Sequence, residues 1–266
     1  MVSICIIVKN EEKLIEQCLK HLLPLEYEIV VVDTGSTDNT KVVAARYTNK
    51  VFDYEWQQDF AAARNFAIGK ASNDYILMID SDEIVISYDK KELEAQIQKF
   101  PDGIGRINII SEYVRGNERY KIKSQVSRLF SKKLYCYQGR IHEQIVPVNK
   151  GTGTGIIYSI PIIVNHSGYD GKLELRRKKT ERNINLLLKE LRDKGDDPYI
   201  LYQLGKAYYM QEDYSAACEA FWKALYFDLD PKLEYVQDMV ESYGYALLNS
   251  RQYETALQLL GVYDEF

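Results

Sequence analysis

The fold is decided by the stretch Ser3-Ile-Cys-Ile-Ile-Val8, the segment from Glu11 to Leu23, and Glu28-Ile-Val-Val-Val32. The first and last pieces are short, β-branched and continuously apolar, the pattern of strands buried on both faces of a parallel sheet. Between them Leu14, Ile15, Cys18, Leu19 and Leu22 fall on one stripe at helical spacing, which predicts a helix lying on that sheet. Outward from this βαβ unit, the polar turn Asp33-Thr-Gly-Ser-Thr-Asp-Asn-Thr40 leads into a helix through about Tyr47. A short strand at 50–52, a helix at 59–71 and a strand at 75–79 follow, the last ending at Asp80-Ser-Asp-Glu83. This alternation predicts a three-layer α/β domain, which binds ligands at the carboxyl ends of its strands.

Beyond Ser87 the pattern changes. Asp89 with Glu92 three residues later reads as a capping box, opening a helix with Leu93, Ile97 and Phe100 that Pro101-Asp-Gly103 ends. Alternating runs at 104–110, 125–130, 141–148 and 156–164 predict a β-rich second half of the same domain. From 172 to 194 one long helix carries Ile184, Leu187, Leu188 and Leu191 on one face, with Gly195 placed to end it. Leu201-Tyr-Gln-Leu-Gly-Lys-Ala-Tyr208, Asp213-Tyr214, Ala217, Phe221 and Ala224 resemble the tetratricopeptide pattern, and a second copy follows in Tyr243-Gly244, Leu247, Tyr253, Ala256 and Leu260. The expected organisation is therefore a domain at 1–170, a connecting helix at 171–195 and about two repeats at 196–266. Two repeats are few for such an array, which predicts a truncated chain or a capping partner.

Composition sets the limits. A length of 266 residues suits about two domains, and 46% hydrophobic against 27% charged residues excludes disordered and low-complexity readings. A formal charge of −5 argues against a general nucleic-acid binder. The four scattered cysteines read as reduced thiols, and neither a signal peptide nor a membrane-spanning run is visible, which predicts a cytoplasmic protein or one peripheral to the inner face of a membrane. The helix at 172–194 holds nine Lys/Arg against four Asp/Glu, whereas the chain beyond Gly195 holds four against thirteen. Such runs are solvated faces or a docking surface for a basic polypeptide.

The chemistry concentrates in acids at strand ends. Asp33 and Asp80-x-Asp82 follow buried strands, where carboxylates either cap a helix or hold Mg²⁺ or Mn²⁺ together with the phosphates of a substrate. Five motifs in order carry a resemblance: Val8-Lys-Asn-Glu11, Val31-Val-Asp-Thr-Gly-Ser-Thr-Asp-Asn39, Asp59-Phe-Ala-Ala-Ala-Arg-Asn65, Ile79-Asp-Ser-Asp-Glu83 and Gly139-Arg-Ile-His-Glu143. Together they resemble glycosyltransferase family 2, of the GT-A fold, and within it the bacterial branch with lipopolysaccharide-core enzymes and with peptide and flagellin enzymes carrying a tetratricopeptide tail.

The resemblance implies an inverting, metal-dependent transfer of a hexose or N-acetylhexosamine from a UDP-sugar. It implies a divalent ion (Mn²⁺ or Mg²⁺) at Asp80 and Asp82, completed by His166 in Asn165-His-Ser-Gly-Tyr169, with Asp80 either sharing the ion or nearer the ribose. Asp33 would accept from the nucleobase, Val8, Asn10 and Glu11 would shape its pocket, and Glu143 would be the general base. Arg64 would contact the diphosphate or the Asp-x-Asp carboxylates, or else pair with Asp59 or Asp82; Arg128 would touch phosphate or pair with an acid. His142 would point away from Glu143 if the segment is extended, and His21 has no indicated role. The acceptor expected is a protein or peptide docked by the repeats, ahead of lipopolysaccharide or another glycan, and the repeats also suit homodimerisation. A non-catalytic repeat platform and a nucleotidyltransferase are the competing readings; the acidic Val8-Lys-Asn-Glu-Glu12 stands where the latter needs a Gly-rich basic loop.

Overall fold

The computed structural model describes residues 1–115, 118–149, 151, 155–166 and 173–263; the expected boundary at 170/171, part of the motif around His166 and the last three residues lie outside them. Two compact units separate, Met1–Gly139 with Glu143–Asp170, and Arg140–His142 with Gly171–Phe266.

The first unit runs β1 (Val2–Val8), α1 (Glu12–Leu22), β2 (Glu28–Asp33), α2 (Thr40–Ala44), β3 (Val51–Asp53), α3 (Phe60–Lys70), β4 (Tyr75–Met78), β5 (Glu83–Tyr88) and α4 (Lys90–Lys99). It continues through β6 (Ile104–Arg115), β7 (Glu118–Ser131), β8 (Tyr135–Gln138), β9 (Gln144–Pro147) and β10 (Ile157–His166). Eight strands form one sheet in the order β3-β2-β1-β4-β7-β6-β10-β5, and β8 pairs with β9 separately. The first four in that order are parallel, while β7 is antiparallel to both β4 and β6. This is a mixed α/β architecture, consistent with the GT-A expectation.

Alternation along β1 sorts the layers. Val2, Ile4, Ile6 and Val8 face a core shared with Ile15, Leu19 and Leu22 of α1 and Leu93 of α4, whereas Cys5 faces the other side with Ala61, Ala67 and Ile68 of α3. Successive strand residues point to opposite faces, so one strand fills two cores. Ile4 and Ile6 are fully buried, and truncating either to alanine is expected to cost about 2–5 kcal/mol.

Asp59 and Asp89 cap α3 and α4, accepting from the N–H groups of Ala62 and Glu92. Three details differ from the sequence reading. The segment 83–88, to which the sequence reading assigned no element, is a strand, β5. The run at 141–148 yields strand only at Gln144–Pro147, and Tyr135–Gln138 is its partner. His142 has φ +52°, so this segment turns instead of extending, and the strand-based orientation of His142 does not apply.

The second unit is helical among the described residues: α5 (Leu173–Lys194), α6 (Pro198–Met210), α7 (Tyr214–Ala224), α8 (Glu234–Asn249) and α9 (Tyr253–Tyr263). Asp197 and Asp213 cap α6 and α7, and Pro198 sits at a first-turn position that lacks a helical N–H partner anyway. Leu201, Tyr202, Ala217, Phe221, Tyr243 and Leu247 share one core. Gly205 lets α6 and α7 cross closely, since a Cβ there would lie 2.6 Å from Phe221 Cε1. Glu190 of α5, 1% exposed, accepts from the Arg140 N–H at 2.8 Å and from Lys194 at 2.6 Å. No helix among the described residues is long and apolar enough to cross a membrane.

Candidate active site

Parallel pairing brings the strand-end acids to one edge. Val8 pairs with Asp33 across β1 and β2, and β4 runs beside β1 on its other flank, so Asp33 and the Asp80–Glu83 turn emerge at the same sheet edge. Two strand spacings separate β2 from β4, about 10 Å.

Asp33 is 4% exposed. Its Oδ1 accepts from the backbone N–H groups of Gly35 (2.9 Å) and Ser36 (2.8 Å), a turn that Gly35 permits with φ +99°. Its Oδ2 is buried with no hydrogen-bond partner among the described residues. The loops after β1 and β2 are stitched together around it. Asn10 donates its N–H to Ser36 and its Oδ1 accepts from the Thr37 N–H at 2.7 Å, while Glu11 donates its N–H to Thr40 Oγ1 at 2.8 Å. The Val8 carbonyl accepts from both the N–H and the hydroxyl of Thr34.

Next to this lies a string of alternating charge. Arg64, on α3, donates Nε to Glu143 and Nη2 to Asp80 at 2.8 Å. Arg128, near the end of β7, donates Nη2 to Asp80 at 2.6 Å and to Glu83 at 2.7 Å. Burial works against the Asp80 carboxylate, but the two guanidinium groups outweigh it and hold Asp80 well below the usual carboxylate range. Glu83 is the opposite case: burial pushes it up, Arg128 pulls it back and Asp80 adds to the rise. Glu83 also accepts the Asp80 N–H at 2.9 Å, so its carboxylate braces the turn from within.

Asp82 has its Oδ2 3.1 Å from His166 Nε2 at the end of β10. The pairing of Glu83 with His166 between β5 and β10 brings them together. The Asp82 hydrogen bond raises the His166 pKa, against the opposing effect of burial. Among the described residues no group of three or more His, Cys, Asp or Glu side chains is arranged to hold a metal ion. Of the three expected ligands, Asp82 and His166 meet, while Asp80 gives both oxygens to arginine.

Thus Val8, Asn10, Glu11 and Asp33 form one cluster, and Arg64, Asp80, Arg128 and Glu143 another. Arg64 pairs with Asp80 and Glu143, whereas Asp59 is the cap of α3. His21 lies on α1 with Nδ1 against the Gln17 carbonyl. Sequence reasoning passed over Glu83, although it ends the quoted acidic motif, and Tyr137, which nothing in the sequence singled out. Burial pushes the Tyr137 hydroxyl up to about 12.

Comparison with known proteins agrees with the motif reading. The model of the family Glycosyl transferase family 2 matches residues 3–160, more than half of the chain. A TPR repeat-containing protein of Synechococcus elongatus is 30% identical over 222 residues, covering 81% of this chain and 54% of its own. The SPbeta prophage-derived glycosyltransferase SunS of Bacillus subtilis is 28% identical over 224 residues, 83% of this chain and 52% of that protein. Among solved structures, S. aureus TarS is similar at 15% identity with a TM-score of 0.49, over 96% of this chain and 53% of that one. The chain spans about half the length of these curated relatives. With the family model matching 3–160, a span that holds all five motifs, the chain belongs to glycosyl transferase family 2.

Proposed function

We propose that the chain transfers a hexose or N-acetylhexosamine from a UDP-sugar, with inversion, to a protein or peptide side chain. One observation carries this reading: the buried Asp33 Oδ2 is an acceptor without a partner among the described residues, at the sheet edge beside the acid–arginine string. Buried polar groups are nearly always paired, so an orphan acceptor at a ligand-binding edge calls for a donor from the ligand. The imide N–H of uracil is such a donor, and the stitched loops from Val8 and from Thr34 wall it in.

Asp82 and His166 offer an oxygen and an imidazole nitrogen 3.1 Å apart, a donor pair that suits Mn²⁺ and, less well, Mg²⁺. The surrounding formal charge favours such an ion: four carboxylates (Asp80, Asp82, Glu83, Glu143) stand against two guanidinium groups (Arg64, Arg128). When bound, a divalent cation would act as a Lewis acid offsetting charge on the departing diphosphate. Asp80, fixed by both arginines, orients the turn that presents Asp82. Arg64 and Arg128 each keep a buried N–H-bearing nitrogen without a partner among the described residues, Nη1 and Nε respectively. Glu143 takes the acceptor proton as general base, from a position set by Arg64.

The protein acceptor, ahead of lipopolysaccharide or another glycan, rests on reading 196–266 as tetratricopeptide-like repeats after a connecting helix at 171–195, with 1–170 as the catalytic domain. The helical pairs α6–α7 and α8–α9, and the close crossing at Gly205, support that reading, since stacked helix pairs offer extended surfaces to polypeptides. An apolar groove of about 410 Å³ between α8 and α9, lined by Val240, Gly244, Tyr245, Leu248, Tyr253 and Leu257, is the surface we assign to docking of the polypeptide acceptor.

Calorimetric titration with UDP, with and without Mn²⁺, on wild type and Asp33→Asn tests the core of this. Because Oδ1 is held by two N–H groups, the asparagine keeps its oxygen there and turns its amide nitrogen to the orphan position, setting donor against donor. Losing a hydrogen bond to a charged acceptor is worth about 1.5–3 kcal/mol, so UDP affinity should fall about 10- to 100-fold. Absence of UDP binding by the wild type under both conditions would remove the proposal.

A further inference from the structure

We infer that Tyr137 and Asn65 are positioning residues for the Arg64–Glu143 pair, Tyr137 acting through the face of its ring rather than through its hydroxyl. The inference rests on the reading of Glu143 as the general base. Consecutive residues of α3 reach the same hairpin, β8–β9, in two different ways. Asn65 makes a two-point bond to the backbone of Tyr137: its Nδ2 donates to the carbonyl at 2.8 Å, and its Oδ1 accepts from the N–H at 2.9 Å. Arg64 reaches Glu143, the residue just before β9, through Nε. The Asn65 clamp therefore fixes the strand that pairs with β9, and the arginine then meets a glutamate whose hairpin cannot slide.

The ring of Tyr137 completes the arrangement. It is 5% exposed and packs edge-on against Phe130 with centroids 5.5 Å apart, and the Arg64 Cζ lies 5.5 Å from its centroid. That is within range for a cation held against an aromatic face, an interaction that when desolvated is worth up to about thirtyfold in an equilibrium. Arg64 has polar partners for Nε and Nη2 but none for Nη1 among the described residues, so the ring helps decide which way the guanidinium plane lies. The Tyr137 hydroxyl is buried with no partner among the described residues. Among the described residues it therefore carries no hydrogen bond, and phenylalanine should replace tyrosine without loss.

Steady-state release of UDP from UDP-glucose or UDP-N-acetylglucosamine with Mn²⁺, water serving as the acceptor, well below the melting temperature of each variant, separates positioning from simple packing. Tyr137→Phe should stay within about twofold of wild type in kcat and melt no lower, because a buried unpaired hydroxyl is removed. Tyr137→Leu should lose about tenfold in kcat with KM for the UDP-sugar changed less than about threefold, and Asn65→Ala should behave alike. In an Arg64→Lys background, which cannot present the same planar fork, Tyr137→Leu should cost less than about twofold, since interacting residues are non-additive. Equal losses in both backgrounds, or a phenylalanine variant as damaged as the leucine one, overturn the inference while UDP binding leaves the functional reading standing. A wild type that turns over no UDP-sugar overturns the functional reading, and the inference with it.

Discussion

Arg128→Met removes a buried cation while keeping most of the side-chain length, and its consequence falls on Glu83. That carboxylate is 2% exposed, and its Oε1 is bonded to Arg128. Burial already pushes Glu83 up and Arg128 opposes the rise, so the variant leaves a carboxyl that takes a proton at neutral pH sooner than remain charged in the interior. The cost has a ceiling. Protonating a group whose ordinary pKa is about 4.3 costs 1.36 kcal/mol per pH unit, hence about 3.7 kcal/mol at pH 7 and about 1 kcal/mol at pH 5. Over this range the unfolded chain holds Glu83 ionised and the folded variant holds it protonated, so the stability deficit must grow as pH rises. Urea unfolding read by Trp56 fluorescence in a Trp222→Phe background measures this, because the chain has only two tryptophans and each lies in a different unit. The deficit relative to the Arg128-containing parent should grow between pH 5 and pH 7 while staying below that ceiling of about 3.7 kcal/mol, since Glu83 is already raised in the parent, and Glu83→Gln added to Arg128→Met should recover most of it. A deficit independent of pH, or a double variant no more stable than the single one, would refute the claim that Arg128 is needed chiefly to compensate buried acid.

Other expectations follow from single contacts. Gly205→Ala should destabilise the helical unit by about 1–2 kcal/mol, overpacking against Phe221 outweighing the gain in helix propensity, whereas Gly244→Ala, whose nearest neighbour is Leu259 Cδ2 at 3.8 Å, should stabilise it by up to about 1 kcal/mol. Thermal melts of the two variants that came out in the reverse order would discount the close helix crossing. Asp82→Asn should weaken Mn²⁺ binding on the order of 100-fold in a direct titration read by electron paramagnetic resonance. Asp80→Asn should act mainly on stability, since Asp80 spends its oxygens on Arg64 and Arg128; a larger loss of Mn²⁺ affinity in Asp80→Asn than in Asp82→Asn would reverse the assignment.

What the sequence discloses and what it hides divide along physical lines. The βαβ start is legible because β1 and β2 are buried on both sides and so are apolar throughout, and because α1 carries its apolar stripe at helical spacing. Strand β5 is not, because Ile86, Ser87 and Tyr88 are exposed and the acidic turn before it draws the eye to chemistry. The run at 141–148 looks like one strand, yet Gly139 (φ +107°) and His142 (φ +52°) spend its first residues on a turn, which periodicity cannot register. The strand-end placement of Asp33 and Asp82 could be anticipated from motif positions. The contact of Arg64 with the Asp-x-Asp carboxylates is among the expectations and falls on Asp80, but its pairing with Glu143, 79 residues away, is not: only the packing of α3 against β8 selects it over Asp59, which is closer in sequence.

The pairs together form one string, Glu83–Arg128–Asp80–Arg64–Glu143, passing from β5 through β7 and the end of β4 to α3 and the loop before β9. Its charges alternate and its end members are both carboxylates, so neither arginine can be removed without leaving a buried or half-buried carboxylate uncompensated. A surface ion pair tolerates such a loss because water replaces the partner; here Arg64 and Arg128 are 7% and 10% exposed in their side chains, and water has little access. The string thus joins its middle member, Asp80, to one end, Glu143, through a single guanidinium. Asp80, at the turn proposed to face the sugar nucleotide, and Glu143, proposed to face the acceptor, are held by the same guanidinium.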